Sequence, residues 1–472
     1  MNDPDDFNRH AHEVIDWITN YYKNLEQYPV KSQVAPQEIY QQLPEHIPDE
    51  GISISQILEV FDNVLMQGIT HWQSPNFFAY FPANSSLPSV LAEMITAALG
   101  AQCMKWETSP AATELEEKVM NWLKQAIGLP DYFEGVIQDS ASTATLVSLL
   151  TARERYTNYR INEKGFQNQA PFRVYCSREA HSSVEKAVKI AGIGKSNLVK
   201  IDVDEQFRVK PQQLNEAIEA DKKKGMIPLC IVATIGTTSS TAIDPLSQIT
   251  PISKKQGLWL HVDAAYAGTA LILPEYQWML DGRDDIDTIV FNPHKWLFTN
   301  FDCSAYFVKD KHSLVKTFQL IPEYLKTRTD EQANNYSDWT IPLGRRFRAL
   351  KLWFVLNYYG MHGLQRKLRN HIQMAHALKN WIEQHEDFEL LAPLVLNVLC
   401  FRYKTKGVNS TEKLNALNEE LLHKVNQTGE IYMTHTKLSG KYTLRLVIAQ
   451  TYMEMRHVKN AWDIIQRTAS KL

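Results

Sequence analysis

The sequence lacks the features that mark several broad classes of protein. Its 472 residues carry a formal net charge of −3, so there is no basic excess for binding nucleic acid or an anionic membrane. Its five cysteines, at positions 103, 176, 230, 303 and 400, show no CxxC spacing, which disfavours a disulfide framework and a zinc site. We therefore expect reduced thiols in the cytoplasm, no metal and no nucleic-acid partner.

Long hydrophobic runs are also missing. The most apolar window, residues 90–104, is interrupted by Glu93 and Gln102 and is too short to span a bilayer. The first 22 residues carry acids where a signal peptide would carry basic residues, and their apolar positions are periodic, as in an amphipathic helix. The sequence therefore predicts no membrane partner.

Three common ligand-binding motifs are absent or incomplete. The fifteen histidines include no HExxH metal motif. The stretch Gly194-Lys195-Ser196 resembles the end of a P-loop, but Lys189 stands where the first glycine is required. Gly192 and Gly194 lack the third glycine of a dinucleotide fingerprint. These patterns do not predict nucleotide binding.

The chain does contain enough apolar material, 44% of its residues, for a large core. Residues 1–75 are typical of helices joined by turns, and we expect them to pack on a second subunit. In residues 76–345, short β-branched runs alternate with helical periods, which predicts an α/β fold with a mostly parallel sheet covered on both faces. Residues 346–472 predict a separate α+β unit.

Small and polar residues follow three of the predicted strands, at the sheet edge where ligands bind in open α/β proteins. Ser140, Ala141 and Ser142 begin a helix and would offer N–H groups and hydroxyls to a phosphate, although serine caps many ordinary helices. His181 precedes another helix, where its ring could lie against a planar ligand or simply face solvent. Residues 233–238 end in a small polar turn that allows close approach to a ligand.

Two further strands end in ionisable residues. On the first, His261, Asp263 and Ala265 share one face, and the carboxylate needs a cationic or hydrogen-donating partner, which a structural salt bridge would also provide. The second strand leads into Lys295, within the turn FNPHKW at residues 291–296. A lysine in a tight apolar turn acquires a depressed pKa and becomes a nucleophile toward carbonyls, although a buried structural lysine would show the same pattern.

One cofactor, pyridoxal 5'-phosphate, would use all of these residues. It needs a lysine for its aldehyde, a carboxylate to keep its pyridine nitrogen protonated, an anion cradle for its phosphate and a flat group to stack on its ring. Lys295, Asp263, residues 140–142 and His181 would meet these needs in turn. The agreement among them predicts a pyridoxal phosphate enzyme.

Longer stretches resemble the pyridoxal-phosphate-dependent group II decarboxylases, specifically the aromatic-L-amino-acid decarboxylases. The stretches are THWQSPNFFAYFP (70–82), SPAATELE (109–116), HVDAAYAG (261–268), FNPHKW (291–296), NFDCSAYFV (300–308) and IPLGRRFRALKLWF (341–354). The resemblance runs from about residue 10 to the C-terminus. It implies a fold-type-I architecture like that of aspartate aminotransferase, with a seven-stranded sheet, and a homodimer with active sites at the subunit interface.

The resemblance also implies roles that spacing alone does not identify. Further cofactor-binding residues would be Thr238, Ala265, Asn292 and His294. The residues implied to bind an aromatic substrate are Trp72, Tyr80, Phe81, Pro82, Met104 and Gly344, with residues 102–104 reaching in from the partner subunit. That stretch departs from the apolar and glycine residues that are commoner in the family, so the resemblance leaves the shape of the pocket open.

The implied reaction is decarboxylation to an amine through a Schiff base on Lys295. Residues 320–339 match the family's lid, in which Tyr324, together with His181, would return a proton to the substrate's α-carbon. Related aldehyde synthases often carry phenylalanine at the position of Tyr324, so tyrosine favours simple decarboxylation. Gly344 accompanies roomier substrates in the family, which favours L-DOPA, tryptophan or 5-hydroxytryptophan.

Other activities remain open from the sequence. The nearest are an aromatic aldehyde synthase and a decarboxylase of tyrosine, phenylalanine or histidine. An aminotransferase would need an arginine for the carboxylate of its second substrate. A scaffold that kept the fold without the activity would be expected to have lost Lys295 or Asp263, and both are present.

Overall fold

The computed structural model describes residues 4–320 and 333–472, so the predicted proton donor Tyr324 lies outside the described residues. The chain divides into two compact units. The first comprises Met1–Pro82, Met374–Leu391 and Leu399–Leu472, and the second comprises Ala83–Gln373 and Ala392–Val398. The expected division into three parts, at residues 75 and 345, stays a prediction about how the chain is organised.

The strands fall into two sheets. In chain order they are β1 (Glu134–Gln138), β2 (Phe172–Ser177), β3 (Leu198–Ile201), β4 (Ile227–Thr234), β5 (Trp259–Asp263), β6 (Thr288–Phe291), β7 (Ser304–Val308), β8 (Phe388–Leu390), β9 (Val398–Tyr403), β10 (Thr434–Leu438) and β11 (Lys441–Val447). The larger sheet has seven strands in the order β1-β7-β6-β5-β4-β2-β3, and the smaller has four in the order β10-β11-β9-β8.

The seven-stranded sheet confirms the predicted α/β fold. Strands β6, β5, β4, β2 and β3 run parallel to one another, while β7 is antiparallel to both β6 and β1. Its central strands are continuous buried runs rich in valine, isoleucine and leucine, as a sheet covered on both faces requires. The sheet has the seven strands that the family resemblance implies, although the alternation of strands and helices alone does not predict the antiparallel β7.

The α-helices surround this sheet or belong to the first unit. They are α1 (Pro4–Lys23), α2 (Glu38–Gln42), α3 (Ile54–Asn63), α4 (Leu87–Leu99), α5 (Pro110–Ala126), α6 (Ala141–Tyr156), α7 (Arg160–Lys164), α8 (Ser182–Ile190), α9 (Pro211–Lys223), α10 (Leu246–Gln256), α11 (Pro293–Trp296), α12 (Lys311–Phe318), α13 (Arg348–Gln384), α14 (Thr411–Gln427) and α15 (Met455–Ala469). Helix α13 is interrupted at Gly360, whose φ is 60°. The interruption divides α13 into two helices joined by a kink.

The first unit contains the four-stranded sheet and the N-terminal helices. Strands β10 and β11 pair antiparallel, as do β8 and β9, and α14 packs against β11. Near the N-terminus, Trp17 Nε1 of α1 donates to Asp62 Oδ1 of α3 at 2.6 Å. The start of the chain is therefore mainly helical, and its C-terminal part combines helices with strands. The packing of residues 1–75 on a second subunit stays a prediction.

Three structural features bear on the disulfide, membrane and metal sites that the sequence disfavours. All five cysteines are buried free thiols, and the cytoplasmic location expected from them stays a prediction. No helix within residues 4–320 and 333–472 is long and apolar enough to cross a membrane. The same residues contain no group of three histidine, cysteine, aspartate or glutamate side chains placed to hold a metal ion.

Candidate active site

Five segments with predicted functional residues lie at one edge of the seven-stranded sheet. Strands β2, β4, β5 and β6 are parallel, and β1 points the same way because both β1 and β6 are antiparallel to β7. Their carboxyl ends therefore share an edge, where ligands bind in open α/β sheets. The residues that follow or end these strands are Ser140, His181, Thr238, Asp263 and Lys295.

Asp263 is a buried carboxylate at the end of β5. Its side chain is 4% exposed, and Oδ1 accepts the backbone N–H of Ala265 at 3.0 Å. Behind it on the same face, His261 is hydrogen-bonded to Thr145 and Thr288 at 3.1 and 2.9 Å. Burial lowers the pKa of His261 to about 4, so this ring is neutral at physiological pH and does not neutralise the carboxylate.

Lys295 lies in the short helix α11, directly after β6. Its backbone N–H donates to Asn292 O at 2.9 Å, and Asn84 Nδ2 donates to Lys295 O at 2.6 Å. Asn84 also donates its backbone N–H to His294 O at 3.0 Å. These bonds hold the turn from both sides, so the base of the lysine side chain has a fixed position.

Two buried neighbours of Lys295 support the same turn. His294 Nδ1 accepts the Cys303 N–H at 3.0 Å, and Asn292 Oδ1 accepts the Ser304 hydroxyl at 2.8 Å. Burial, reinforced by the charge of Lys295, lowers the pKa of His294 to about 3. His294 is thus a neutral imidazole whose Nδ1 is already occupied by a backbone donor.

His181 forms the N-cap of α8. Its Nδ1 accepts the Ser183 N–H at 3.2 Å and lies 2.9 Å from the Ser183 hydroxyl. The surrounding protein lowers the pKa of His181, Asp263 opposes that shift, and Lys295 adds to it. Both charged groups are therefore close enough to act on this ring, part of which stays exposed to solvent.

Helix α6 supplies a candidate anion cradle at the end of β1. Ser140 is its N-cap, and its Oγ accepts the Thr143 N–H at 3.2 Å. The first N–H groups of a helix have no partner within the helix and favour an anion. Ala141 is buried and Ser142 is exposed, so the hydroxyl of Ser142 can reach a ligand from the helix surface.

The turn after β4 depends on a glycine. Gly236 has φ +85°, and a Cβ at this position would lie 2.5 Å from the Cβ of Ala267. Only glycine allows this turn to approach the chain that follows β5. Two residues further on, Thr238 is exposed at the same edge of the sheet.

This group of side chains fits pyridoxal phosphate. The edge presents a lysine amine, a buried carboxylate, a helix N-terminus with serine hydroxyls, and an imidazole whose charge is suppressed. These are the donor types that the aldehyde, the pyridine nitrogen, the phosphate and the ring of the cofactor require. The residues that would hold the cofactor are Ser140, Ala141, Ser142, His181, Thr238, Asp263, Ala265, Asn292, His294 and Lys295.

The residues expected to bind substrate are divided between the two units. In the second unit, Ser337 N–H donates to Met104 O at 2.9 Å, and Gly344 lies beside Gln102, since a Cβ on the glycine would lie 3.2 Å from Gln102 Nε2. In the first unit, Trp72 stacks on Tyr80 with ring centroids 5.7 Å apart. Phe81 and the buried Pro82 follow Tyr80 in the same unit.

Two supports of the site were missed by the sequence reasoning. Asn84 contacts the Lys295 turn from 211 residues away in the chain, and no local pattern marks it. A buried ion pair joins Arg345 Nη2 to Glu116 Oε1 at 2.7 Å, with both side chains at most 3% exposed. Glu116 and Arg345 lie within stretches that resemble the decarboxylase family, but nothing in those stretches predicts that the two side chains pair.

Comparison with known proteins identifies the family. The pyridoxal-dependent decarboxylase conserved domain matches residues 36–404. A phenylacetaldehyde synthase of Arabidopsis thaliana is 43% identical, covering 100% of this chain and 97% of the relative. A tyrosine decarboxylase of Papaver somniferum is 42% identical, covering 98% and 94%.

A solved structure agrees with these relatives. The crystal structure of Oryza sativa TDC with PLP and tryptamine superposes with a TM-score of 0.97 at 33% identity, covering 100% of this chain and 99% of that one. The match extends over both units of the chain. The chain therefore belongs to the pyridoxal-dependent decarboxylase family, as a group II decarboxylase whose cofactor is pyridoxal phosphate.

Proposed function

We propose that this chain removes the α-carboxylate of an aromatic L-amino acid as carbon dioxide and releases the corresponding amine. The observation that carries the proposal is the position of Lys295 and Asp263 at the ends of the neighbouring strands β6 and β5. The charges of both residues act on the pKa of His181. The aromatic character of the substrate is supported by the relatives, whose names include tyrosine decarboxylase and phenylacetaldehyde synthase.

The cofactor-binding residues have distinct proposed roles. When bound, pyridoxal phosphate supplies an aldehyde that captures amino groups and a ring that accepts the electron pair left by carbon dioxide. Lys295 would hold the cofactor covalently, and Asp263 would keep a proton on the pyridine nitrogen. The start of α6, with Ser140 and Ser142, would bind the phosphate. His181 would lie against the ring as a neutral imidazole, since its pKa is lowered.

The remaining cofactor contacts proposed for this chain are Thr238, Ala265, Asn292 and His294. Asn292 and His294 belong to the turn that carries Lys295, and each already accepts a bond from the 303–304 segment. We propose that their part is to orient the lysine. Tyr324, outside the described residues, is the proposed donor of the proton that replaces carbon dioxide on the α-carbon, assisted by His181.

The favoured substrates are L-DOPA, tryptophan and 5-hydroxytryptophan. The absence of a side chain at Gly344 supports this choice, because even a Cβ at this position would lie only 3.2 Å from Gln102 Nε2, which is a tight contact. Glycine therefore leaves more room for a large substrate ring than any other residue at this position would. We further propose substrate contacts for Trp72, Tyr80, Phe81, Pro82 and Met104, on the resemblance to the family.

A second candidate function is aromatic aldehyde synthesis. A phenylacetaldehyde synthase is among the similar relatives, at 43% identity, so overall similarity does not separate the two activities. The residue at 324 does, since tyrosine there supplies a hydroxyl that protonates the α-carbon before oxygen reacts with it. This favours amine over aldehyde. Tyrosine, phenylalanine and histidine are further candidate substrates for the same decarboxylation.

We also propose that the protein is a homodimer with its active sites at the subunit interface. One face of α4 exposes five large apolar side chains, a larger patch than single scattered residues would make. These residues are Leu87, Leu91, Met94, Ile95 and Leu99. The helix leads directly into residues 102–104, so a second copy covering α4 would receive this turn near its own site.

A product assay tests the proposed function. Purified protein with pyridoxal phosphate is offered L-DOPA, tryptophan, 5-hydroxytryptophan, tyrosine, phenylalanine and histidine separately, and amine, carbon dioxide, aldehyde and peroxide are measured. Equal amounts of amine and carbon dioxide, highest with the catechol or indole substrates, are expected. Aldehyde with peroxide would establish the second candidate function, and no turnover of any of the six would refute the proposal.

A further inference from the structure

We propose that Gln102 donates a hydrogen bond to an oxygen on the aromatic ring of the substrate and thereby selects hydroxylated rings over unsubstituted ones. This inference rests on the proposed function, and in particular on the proposed contact of Gly344 with the substrate. It narrows the substrate class, because L-DOPA and 5-hydroxytryptophan carry such an oxygen and tryptophan does not.

The orientation of the Gln102 side-chain amide is set by a backbone donor. The Arg345 N–H donates to Gln102 Oε1 at 2.7 Å. The amide nitrogen of glutamine has no lone pair available to accept this bond, so the oxygen must face Arg345. The NH₂ group therefore points the other way, with two hydrogens to donate.

That NH₂ group lies directly beside Gly344. A Cβ built on Gly344 would lie 3.2 Å from Gln102 Nε2, closer than from Oε1 at 3.8 Å. Gln102 is exposed, and its hydrogen bonds within the described part of the chain involve only its Oε1 and its backbone oxygen. The donor is thus free to meet a ligand that enters beside the glycine.

The turn that carries Gln102 is held in place by several bonds to its neighbours. Cys103 N–H donates to Arg345 O at 3.1 Å, and Arg345 Nη1 donates to Cys103 O at 3.3 Å. Thr108 Oγ1 donates to Gln102 O at 2.7 Å. The buried ion pair between Arg345 and Glu116 anchors the whole group. A donor held this way loses little side-chain entropy on binding a substrate.

The position of Gln102 Nε2 distinguishes hydroxylated from unsubstituted substrate rings, because either ring removes water from this donor. A hydroxyl on the ring can replace the water that otherwise accepts from Gln102 Nε2, whereas an unsubstituted ring removes that water and leaves the donor unpaired. One neutral hydrogen bond of this kind corresponds to roughly a three- to ten-fold preference. The same bond forms before and during the reaction, so the preference belongs mainly in KM.

The test compares matched substrates that differ by one hydroxyl: 5-hydroxytryptophan against tryptophan, and tyrosine against phenylalanine. The wild-type holoenzyme is expected to favour the hydroxylated member of each pair in kcat/KM. In Gln102→Leu, that ratio should fall by roughly three- to ten-fold, through a higher KM for the hydroxylated member. The exposed Gln212 on α9 provides a matched control, because Gln212→Leu should keep the wild-type ratio.

A second measurement needs no variant. Tyramine should inhibit the wild-type holoenzyme more strongly than phenethylamine, by a similar factor, and Gln102→Met should reduce that difference if Gln102→Leu folds poorly. An unchanged substrate ratio in an active Gln102 variant, or equal inhibition by the two amines, overturns the inference alone. Failure of the wild type to release amine from any aromatic amino acid overturns the proposed function and this inference together.

Discussion

Two imidazoles buried near the candidate site are kept neutral by their surroundings. Burial lowers the pKa of His261 to about 4, and burial together with Lys295 lowers that of His294 to about 3. An unfolded histidine titrates near 6.5. Between these values the unfolded chain binds more protons than the folded protein, so each histidine makes the fold less stable as the pH falls.

Replacing His261 should flatten the dependence of stability on pH. For a pKa of about 4 in the folded protein and 6.5 in the unfolded chain, this residue costs about 2 kcal/mol between pH 7 and pH 5. The melting temperature of His261→Asn should therefore fall less over this range than that of the wild type, by the equivalent of that free energy. Parallel melting curves at several pH values measure it.

Two acids, the buried Asp244 and the partly buried Asp287, act in the opposite direction, and their effect must be separated from that of the histidine. Burial raises the pKa of Asp244 and of Asp287 to about 6, so the folded protein holds these protons more tightly than the unfolded chain. They favour the fold as the pH falls from about 6. Both acids are present in the wild type and in His261→Asn, so the difference between the two proteins isolates His261. Identical pH slopes would contradict the neutral, buried state of this histidine.

The turn that follows β4 can approach the chain near Ala267 because it contains Gly236. Gly236 combines φ +85° with a Cβ position 2.5 Å from Ala267 Cβ, whereas Gly225 has φ +74° and open space around it. Alanine at Gly225 should cost about 1–2 kcal/mol for the left-handed backbone alone. Alanine at Gly236 should cost about 1–3 kcal/mol more, because it also forces packed atoms apart.

Denaturant unfolding of Gly236→Ala and Gly225→Ala measures this difference. Because the turn leads to Thr238, a proposed cofactor contact, Gly236→Ala should also bind pyridoxal phosphate more weakly, while Gly225→Ala should bind it normally. Equal stability and equal cofactor binding in the two variants would show that the close approach to Ala267 is not needed.

The sequence predicts those strands and helices whose residue pattern lies within the element itself. Strands that end in Asp263 or precede Lys295 are short apolar runs followed by polar turns, and parallel topology then places both residues at one edge. The family resemblance implies seven strands, but the local pattern does not predict strand β7, because its place between β1 and β6 depends on tertiary pairing. The bond from Asn84 to Lys295 spans 211 residues, and the orientation of Gln102 depends on a backbone group of Arg345. Contacts between residues so far apart in the chain produce no local pattern in the sequence, so they could not be predicted from it.

In the molecule as a whole, α4 exposes an apolar face that nothing in the described part of a single chain covers. A second copy of the chain would remove this face from water. Charged substitutions at Leu91 and Ile95 should split the proposed homodimer, because they place carboxylates in a desolvated contact. We expect the double variant Leu91→Glu/Ile95→Glu to behave as a monomer in size-exclusion chromatography with light scattering and to lose decarboxylase activity.

A matched control for this test lies on α8. Ile190 is also exposed, at 62%, and Ile190→Glu should leave the wild-type assembly and activity unchanged. A wild-type protein that is monomeric and fully active, or a double variant that stays dimeric, would rule out α4 as the interface.

The proposed covalent link between Lys295 and the cofactor can be observed directly. The holoenzyme is reduced with borohydride, which makes the link between lysine and cofactor permanent, and the digested peptides are examined by mass spectrometry. We expect a pyridoxyl group on Lys295, close to one per chain, and none in Lys295→Ala. A label on another buried lysine, such as Lys105 or Lys351, or no label at full cofactor content, would contradict it.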